Sequence, residues 1–404
     1  MKDIAIYTLT SSLHDEAAVG GVTREFLGSL GIEYSFKGSD FSEYGRHDLD
    51  LIFVRTGGSE GIILPMIPEL RARSKAPFYL LTSGKSNSLA ASLEILSYLR
   101  QNGMKGEVLH GSPEYISGRI SLLERVGAAR RKLDGRKLGV VGKPSDWLIA
   151  SQADYAAVKA ASGIELLDIP LQRVNEICST LPEQKDEELL SKAPTQGIKD
   201  SISDALKIYE ALKVIISDNE LSGLTIRCFD LLTSMRNTGC VALAKLNSEG
   251  FVGCCEGDVP TMLAMVIARA VAGVSGFQAN PSRIDPQTGE LLFAHCTIPF
   301  EMVESYELDT HFESGIGVGV RGWMKNGDVT IFKVSGDLKR HFAAEGRLVR
   351  SQAEANLCRT QQVIMLDDPS QAKYFLTDPI GNHHVIIPGH CRAELDALME
   401  SLQG

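Results

Sequence analysis

The stretch "LDLIFVRTGG", residues 49–58, is a short apolar run that ends in a glycine turn. The same pattern occurs in "DIAIYTL", residues 3–9, and in "APFYLLTSGKSN", residues 76–87. Apolar runs of this kind that alternate with helical segments are typical of a parallel sheet. The segment "NSLAASLEILSYLRQNG", residues 87–103, is one such helix, because its leucines recur at helical spacing and a glycine follows as a stop signal. This part of the chain therefore predicts a doubly wound α/β layer.

The pattern continues in the middle of the chain and then changes. "KLGVVGKPSDWLIAS", residues 137–151, again joins an apolar strand to a glycine turn. Beyond about residue 270, short alternating runs such as "GELLFAHCTIPF", residues 289–300, indicate antiparallel strands. Among them "MKNGDVTIF", residues 324–332, predicts a hairpin with Asn326 and Gly327 in a type I′ turn.

These patterns predict three domains in an α/β chain. Two doubly wound, parallel-sheet (Rossmann-like) domains occupy residues 1–130 and 131–265, and an antiparallel β-barrel-like domain occupies residues 266–404. The chain ends in "RAELDALMESLQ", residues 392–403, which predicts a closing amphipathic helix.

Composition narrows the class of protein. The 404 residues include 41 basic and 51 acidic side chains, a formal charge of −10, which argues against a nucleic-acid surface. No apolar stretch approaches the roughly 20 residues needed to cross a bilayer, and the start of the chain indicates a first strand rather than a signal peptide. The eight cysteines follow no disulfide-scaffold spacing. We therefore expect a cytoplasmic protein without nucleic-acid or membrane partners.

The octapeptide "GCCEGDVP", residues 253–260, combines two cysteines and two acids with the start of a helix. Its adjacent thiols read as small buried hydrophobes, because no second cysteine pair at zinc-type spacing exists. Asp258 stands at an N-cap position before Pro260 and an apolar run. Glu256 thus falls at a strand end, where side chains of α/β proteins often meet ligands. From this octapeptide alone, a surface carboxylate on a turn explains Glu256 equally well.

Three histidines also lie in or beside predicted strands. His295 is in "FAHCTIP", and His383 and His384 are in "GNHHVIIPGH". Each histidine taken alone is more typical of a buried core residue whose hydrogen bonds are satisfied. Together with the Glu256 carboxylate, however, the imidazoles would suit a divalent metal such as manganese. Four basic side chains near predicted strand ends could hold an anionic group, although solvation explains them equally well: Arg227, Arg283, Arg321 and Lys333.

Several motifs occur in an order that resembles the L-fucose isomerase and L-arabinose isomerase superfamily, in its shorter fucose-isomerase-like branch. They are "RTGGSEG", "NSLAASLEILSYLR", "GKPSDWLI", "TGCVALAKLNSEGFVGCCEGDVP", "HCTIP" and "GNHHVIIPGH". The resemblance covers nearly the whole chain. It implies two α/β domains, a β-barrel domain, and a homo-oligomer with active sites between subunits. Glu60 or Asn87 of a neighbour's first domain would then join the site.

The resemblance also implies an activity. Members interconvert an aldose and a ketose through an enediol, with a divalent metal on the sugar oxygens and carboxylates that move the proton. We expect Mn2+ first, with Mg2+, Zn2+ or Co2+ as alternatives. Carried over, the metal ligands would be Glu256, His384 and His295, and Asp258 would be a further acid at the site. The expected substrate-binding residues are Glu60, Asn87, Asn280, Arg283, Arg321 and His383.

One departure leaves the reaction open. The segment "GFQANPSRID", residues 276–285, has Gln278 and Asn280 where the family places a second carboxylate. The Gln278 oxygen could ligate a metal and occupy the catalytic position, but an amide cannot serve as a base. We therefore expect a ketol-isomerase-like enzyme for a monosaccharide or a modified, anionic sugar. The alternatives are carbon–carbon cleavage or fragment transfer on a ketose, and a sugar-binding protein without turnover.

Overall fold

The computed structural model describes residues 3–403, except for the side chain of Glu16. These residues form two compact units. The first unit extends to Lys132 and includes the residues from Asp396 onward, and the second unit runs from Leu133 to Leu395. Within the described residues, no helix is both long enough and apolar enough to span a membrane.

The first unit contains a parallel five-stranded sheet in the order β2-β1-β3-β4-β5. Its strands are β1 (Ile4–Leu9), β2 (Ser35–Gly38), β3 (Leu49–Val54), β4 (Phe78–Leu81) and β5 (Gly106–Leu109). Its helices are α1 (Glu16–Ser29), α2 (Glu60–Ile63), α3 (Ile67–Arg73), α4 (Ser88–Gln101) and α5 (Pro113–Leu133). Strands β1, β3 and β4 are almost wholly buried, so they form the core of this unit.

The second unit begins with a parallel four-stranded sheet in the order β7-β6-β8-β9. Its strands are β6 (Lys137–Val141), β7 (Glu165–Ile169), β8 (Gly223–Ile226) and β9 (Val252–Cys254). Seven helices accompany this sheet: α6 (Tyr155–Ser162), α7 (Gln172–Thr180), α8 (Glu187–Lys192), α9 (Gln196–Asp218), α10 (Asp230–Ser234), α11 (Cys240–Ser248) and α12 (Val259–Ala272).

The rest of the second unit is a closed antiparallel barrel with an added two-stranded sheet. The barrel order is β10-β11-β16-β15-β14-β17, and β12 pairs with β13 beside it. The strands are β10 (Phe277–Ile284), β11 (Glu290–His295), β12 (Val303–Asp309), β13 (Gly319–Met324), β14 (Gly327–Val334), β15 (His341–Gln352), β16 (Thr360–Leu366) and β17 (His384–Pro388). The last helices are α13 (Ala372–Thr377) and α14 (Arg392–Leu402), and the residues of α14 from Asp396 onward belong to the first unit. Two parallel sheets with helices and a closed antiparallel barrel confirm the predicted fold class.

Two details differ from the sequence prediction. The prediction of a hairpin at Asn326 and Gly327 is wrong, because β13 pairs with β12, whereas β14 pairs with β15 and β17. Neither residue has the positive φ that a type I′ turn requires. In addition, the predicted boundary between residues 265 and 266 falls inside α12. The division into three domains stays a prediction.

Helix α5 contains two glycines whose surroundings differ. A side chain at Gly127 would overlap the backbone carbonyl of Asp48, which immediately precedes β3. A side chain at Gly118, on the same helix, would meet nothing within 4 Å. The close approach of α5 to the start of β3 therefore depends on Gly127.

We expect Gly127→Ala to destabilise the protein and Gly118→Ala to stabilise it. The first change forces the helix away from the sheet, and the second gains about 0.4–1 kcal/mol because alanine restricts the unfolded chain. Urea unfolding of both variants measures the two free energies. Equal effects of the two substitutions would contradict the packing described for α5.

Candidate metal centre

The turn between β9 and α12 presents Glu256. Both Glu256 and Gly257 have a left-handed backbone, with φ of 65° and 70°. A side chain at Gly257 would lie 2.5 Å from the carbonyl oxygen of Lys143, so only glycine fits there. The backbone N–H of Ser145 donates to the carbonyl of Glu256 at 2.9 Å. The loop after β6 thus fixes the turn that carries the carboxylate.

Three side chains from different elements converge beside this turn. His295 ends β11, His383 immediately precedes β17, and both are buried with Glu256. The Nε2 atoms of His295 and His383 lie 3.6 Å and 3.4 Å from Oε1 of Glu256. One ligand atom from each of the three residues lies within 4.8 Å of the other two. The described residues therefore bring together one carboxylate and two imidazoles, a set that can hold a divalent cation.

The other nitrogen of each imidazole has its own partner. Nδ1 of His383 lies 2.8 Å from Oδ2 of Asp258, and Nδ1 of His295 lies 3.0 Å from the Thr297 hydroxyl. With its hydrogen on Nδ1, His383 directs the lone pair of Nε2 towards Glu256. That Nε2 is buried and has no hydrogen-bond partner within residues 3–403. An orphaned buried nitrogen beside a carboxylate fits a metal ligand.

The charges of this cluster are strongly coupled. Burial alone would raise the pKa of Glu256, but His383 and His295 lower it well below its ordinary value. Burial alone would lower the pKa of His383, but the carboxylates of Glu256 and Asp258 raise it to about 9. Burial lowers the pKa of His295. A proton and a cation therefore compete for Nε2 of His383, so metal binding would release a proton.

An aromatic wall adjoins the carboxylate. Nε1–H of Trp147 donates to Oε2 of Glu256 at 2.7 Å. The Trp147 ring lies edge-on to Phe229 at 4.7 Å, and Phe229 lies edge-on to His311 at 5.3 Å. Trp147 is 51% exposed, whereas His311 is buried, which lowers the pKa of His311 to about 4. The wall therefore presents an exposed indole and a neutral imidazole beside Glu256 at neutral pH.

The structure places His383, and not its neighbour His384, at Glu256. Nδ1 of His384 lies 3.0 Å from the carbonyl of Asn382, and Nε2 lies 3.1 Å from the Tyr374 hydroxyl. Burial and the charge of Lys333 lower the pKa of His384 to about 3. Adjacent residues of an extended segment point to opposite sides, so only one of the two histidines can face the carboxylate. We therefore put His383 in the ligand position expected for His384.

Gln278 is engaged with the backbone next to Glu256. Its Oε1 accepts from the N–H of Cys255 at 2.7 Å, and its Nε2 donates to the carbonyl of Cys255 at 3.4 Å. This buried amide therefore holds the peptide that precedes the carboxylate, and its role as a metal ligand stays a prediction. Asn280 accepts a hydrogen bond from Asn382, the residue before His383, at 3.1 Å.

The structure shows the local surroundings of the other predicted substrate-binding residues. Arg283 pairs with Glu354, and Arg321 pairs with Glu307 and Asp309. Glu60 and Asn87 belong to the first unit, where Glu60 begins α2 and Asn87, with a left-handed backbone, precedes α4. Roles for these four residues stay predictions. Trp147 lies in the "GKPSDWLI" motif, which contributed to the family resemblance but did not by itself indicate a site residue.

The amino-acid sequence of this chain was compared with those of known proteins. No protein-family model matches the chain. The chain is similar to the sulfoquinovose isomerase of Priestia megaterium (strain ATCC 12872 / QMB1551), at 26% identity over 262 residues, which are 62% of this chain and 59% of that protein. It is also similar to the sulfoquinovose isomerase of Clostridium sp. (strain MSTE9), at 24% identity over 220 residues, 52% of this chain and 49% of that protein. The match thus spans less than two thirds of either relative.

The two adjacent histidines allow a paired test of this geometry. We expect His383→Gln to lose bound divalent metal on dialysis, because it removes one of the three converging ligand atoms. His384→Gln, the matched control, should retain the metal, since Gln can still bond to Tyr374. Metal content per chain, measured by plasma mass spectrometry after dialysis against Mn2+, separates the two. Metal lost from the His384 variant alone would contradict this assignment.

Proposed function

We propose that the chain is a metal-dependent aldose–ketose isomerase for an anionic sugar, with sulfoquinovose as the first candidate substrate. The convergence of Glu256, His295 and His383 is the observation that carries the proposal. The similarity to two sulfoquinovose isomerases supports the reaction class and the charge of the sugar. We further infer a homo-oligomer, as the fucose-isomerase resemblance implies, and we place it in the cytoplasm.

Glu256, His295 and His383 would hold the cation, and Mn2+ is our first choice. Two imidazoles with one carboxylate favour a first-row transition ion over Mg2+, which prefers oxygen ligands. A bound divalent cation supplies Lewis acidity, which acidifies a sugar hydroxyl and stabilises the enediolate. The three ligand side chains are buried, which would strengthen their electrostatic contact with a bound cation.

Glu313 is our candidate for the group that moves the proton between C1 and C2. It lies between β12 and β13, two residues after His311, which belongs to the aromatic wall. Partial burial, followed by the negative charge of Glu256, raises the pKa of Glu313, whose side chain is nevertheless exposed, whereas the pKa of Glu256 is strongly lowered. Two carboxylates whose pKa values are pushed apart can divide the roles of proton carrier and ionised ligand. Glu313 would thereby take the role of the second family carboxylate, whose expected position holds Gln278 in this chain.

The loop that brings Trp147 to Glu256 also offers a place for an anionic group. Lys143, on this loop, and Arg227 line a cavity of about 440 Å³ together with residues that follow β6, β7 and β8. The carboxyl ends of parallel strands at a change of strand order commonly bind ligands. Arg227 is committed to Asp146 and Asp230, so the exposed Lys143 is the residue we assign to a sulfonate.

The proton-transfer role can be separated from the ligand role by isotope exchange. We expect Glu313→Gln to slow the entry of solvent deuterium at C2 of sulfoquinovose by about 100-fold or more, the usual contribution of a general acid–base group. Its Mn2+ affinity should stay unchanged. Glu256→Gln should lose both exchange and metal, and Glu304→Gln, on exposed β12, should lose neither. Wild-type protein that binds Mn2+ but catalyses no exchange on any aldose would refute the isomerase.

The anion site makes a prediction about specificity. We expect Lys143→Met to lower kcat/KM for sulfoquinovose about tenfold, the effect of losing one hydrogen bond to a charged group. Activity on the uncharged analogue glucose should not fall, because glucose has no sulfonate. Lys199→Met, an exposed lysine on α9, is the matched control. A parallel loss on both sugars would show that Lys143 does not recognise the charge.

A further inference from the structure

Lys333 is a buried charge close to the candidate metal centre. It lies on β14, and its side chain has no exposed surface. Its Nζ donates to the Thr261 hydroxyl at 2.6 Å and lies 3.6 Å from Oδ2 of Asp258. A fully buried ammonium is rare and is retained where it meets a specific partner. The arrangement points to a role for Lys333 through Asp258.

Asp258 joins three elements with one carboxylate. Its Oδ1 accepts from the backbone N–H of Thr261 at 2.9 Å and so caps α12. Its Oδ2 lies 2.8 Å from Nδ1 of His383 and faces Lys333. Like Lys333, the side chain of Asp258 is fully buried. Both oxygens are therefore fixed, and Oδ2 serves the lysine and the histidine together.

Lys333 also contacts the turn that carries His383. A side chain at Gly381 would lie 3.4 Å from Cε of Lys333, so the lysine stem lies next to this turn. Gly381 has a φ of 144°, which favours glycine. The lysine thus supports His383 from two sides, through the carboxylate that its Nδ1 meets and through the turn that precedes it.

We propose that Lys333 is a positioning residue of the metal centre. It holds the Asp258 carboxylate as the acceptor for Nδ1–H of His383, so that Nε2 is aimed at Glu256 and at a cation bound there. The inference rests on the proposed metal site and adds to it a part of the chain that touches neither metal nor sugar. Without Lys333, Oδ2 of Asp258 would keep only His383 as a partner, and the lysine would no longer hold the carboxylate in place.

A double-mutant cycle on Mn2+ affinity tests this role. Isothermal titration with Mn2+ compares Lys333→Met, Asp258→Asn and the double variant, and circular dichroism verifies that each is folded. All carry His390→Gln, which disables the exposed group of Glu345, Asp367 and His390 that could also hold a cation. Loss of a residue that orients a metal ligand typically weakens metal binding about 10–100-fold. We expect each single variant to weaken binding by such a factor.

The double variant decides the mechanism. If Lys333 acts through Asp258, removing both should weaken Mn2+ binding no more than Asp258→Asn alone, since coupled residues are not additive. This comparison holds even if Lys333→Met by itself fails to fold, because the double variant leaves no buried unpaired charge. Additive losses, or an unchanged affinity in Lys333→Met, would overturn the proposal.

A metal-free measurement separates this inference from the proposed function. In the apo protein, Nδ1–H of His383 should give a slowly exchanging downfield proton resonance, identified by its absence in His383→Gln. We expect Lys333→Met to speed the exchange of this proton with solvent at least tenfold. Wild-type protein that binds no Mn2+ would refute the metal site, whereas an unchanged resonance in Lys333→Met would refute the role of Lys333.

Discussion

The buried carboxylate of Asp258 is the interaction on which this architecture depends. Asp258 stands at the end of the turn after β9, and its carboxylate caps α12. The same carboxylate contacts the ammonium of Lys333 on β14 and the imidazole of His383 beside β17. A carboxylate without solvent is tolerated only when all its acceptor sites are used. Burial alone would raise the pKa of Asp258, but Lys333 and His383 lower it well below its ordinary value. The same contacts that stabilise this charge also fix the relation between sheet and barrel strands.

The position of Glu256 depends on the contacts of Asp258. Two residues before Asp258, it leaves β9 where the barrel supplies His295 and His383, so a sheet edge and a barrel rim provide one ligand set. Trp147 bonds to one carboxylate oxygen and the two histidines face the other. The two oxygens therefore differ in their surroundings, and Oε1 is the one that faces the two imidazoles.

The sequence predicted the layers and the turn at Glu256 to Asp258 because their signals are local. Apolar runs, glycine stops and an N-cap aspartate act within a few residues. The choice between His383 and His384 could not be made in this way, since it depends on which side of a strand faces the carboxylate. The hydrogen bonds between the Gln278 amide and the backbone of Cys255 could not be predicted either, because the two residues lie 23 positions apart in the chain. The Asn326–Gly327 hairpin failed because pairing within the barrel overrides a local turn preference.

The left-handed backbone at Glu256 carries a cost to the fold. A residue with a Cβ in this conformation is less stable by about 1–2 kcal/mol than in a right-handed one, and glycine or asparagine would relieve much of that strain. Selection for thermal stability alone would thus favour the loss of the carboxylate at this position. The position of the carboxylate and the stability of the fold therefore depend, in opposite directions, on a single backbone angle.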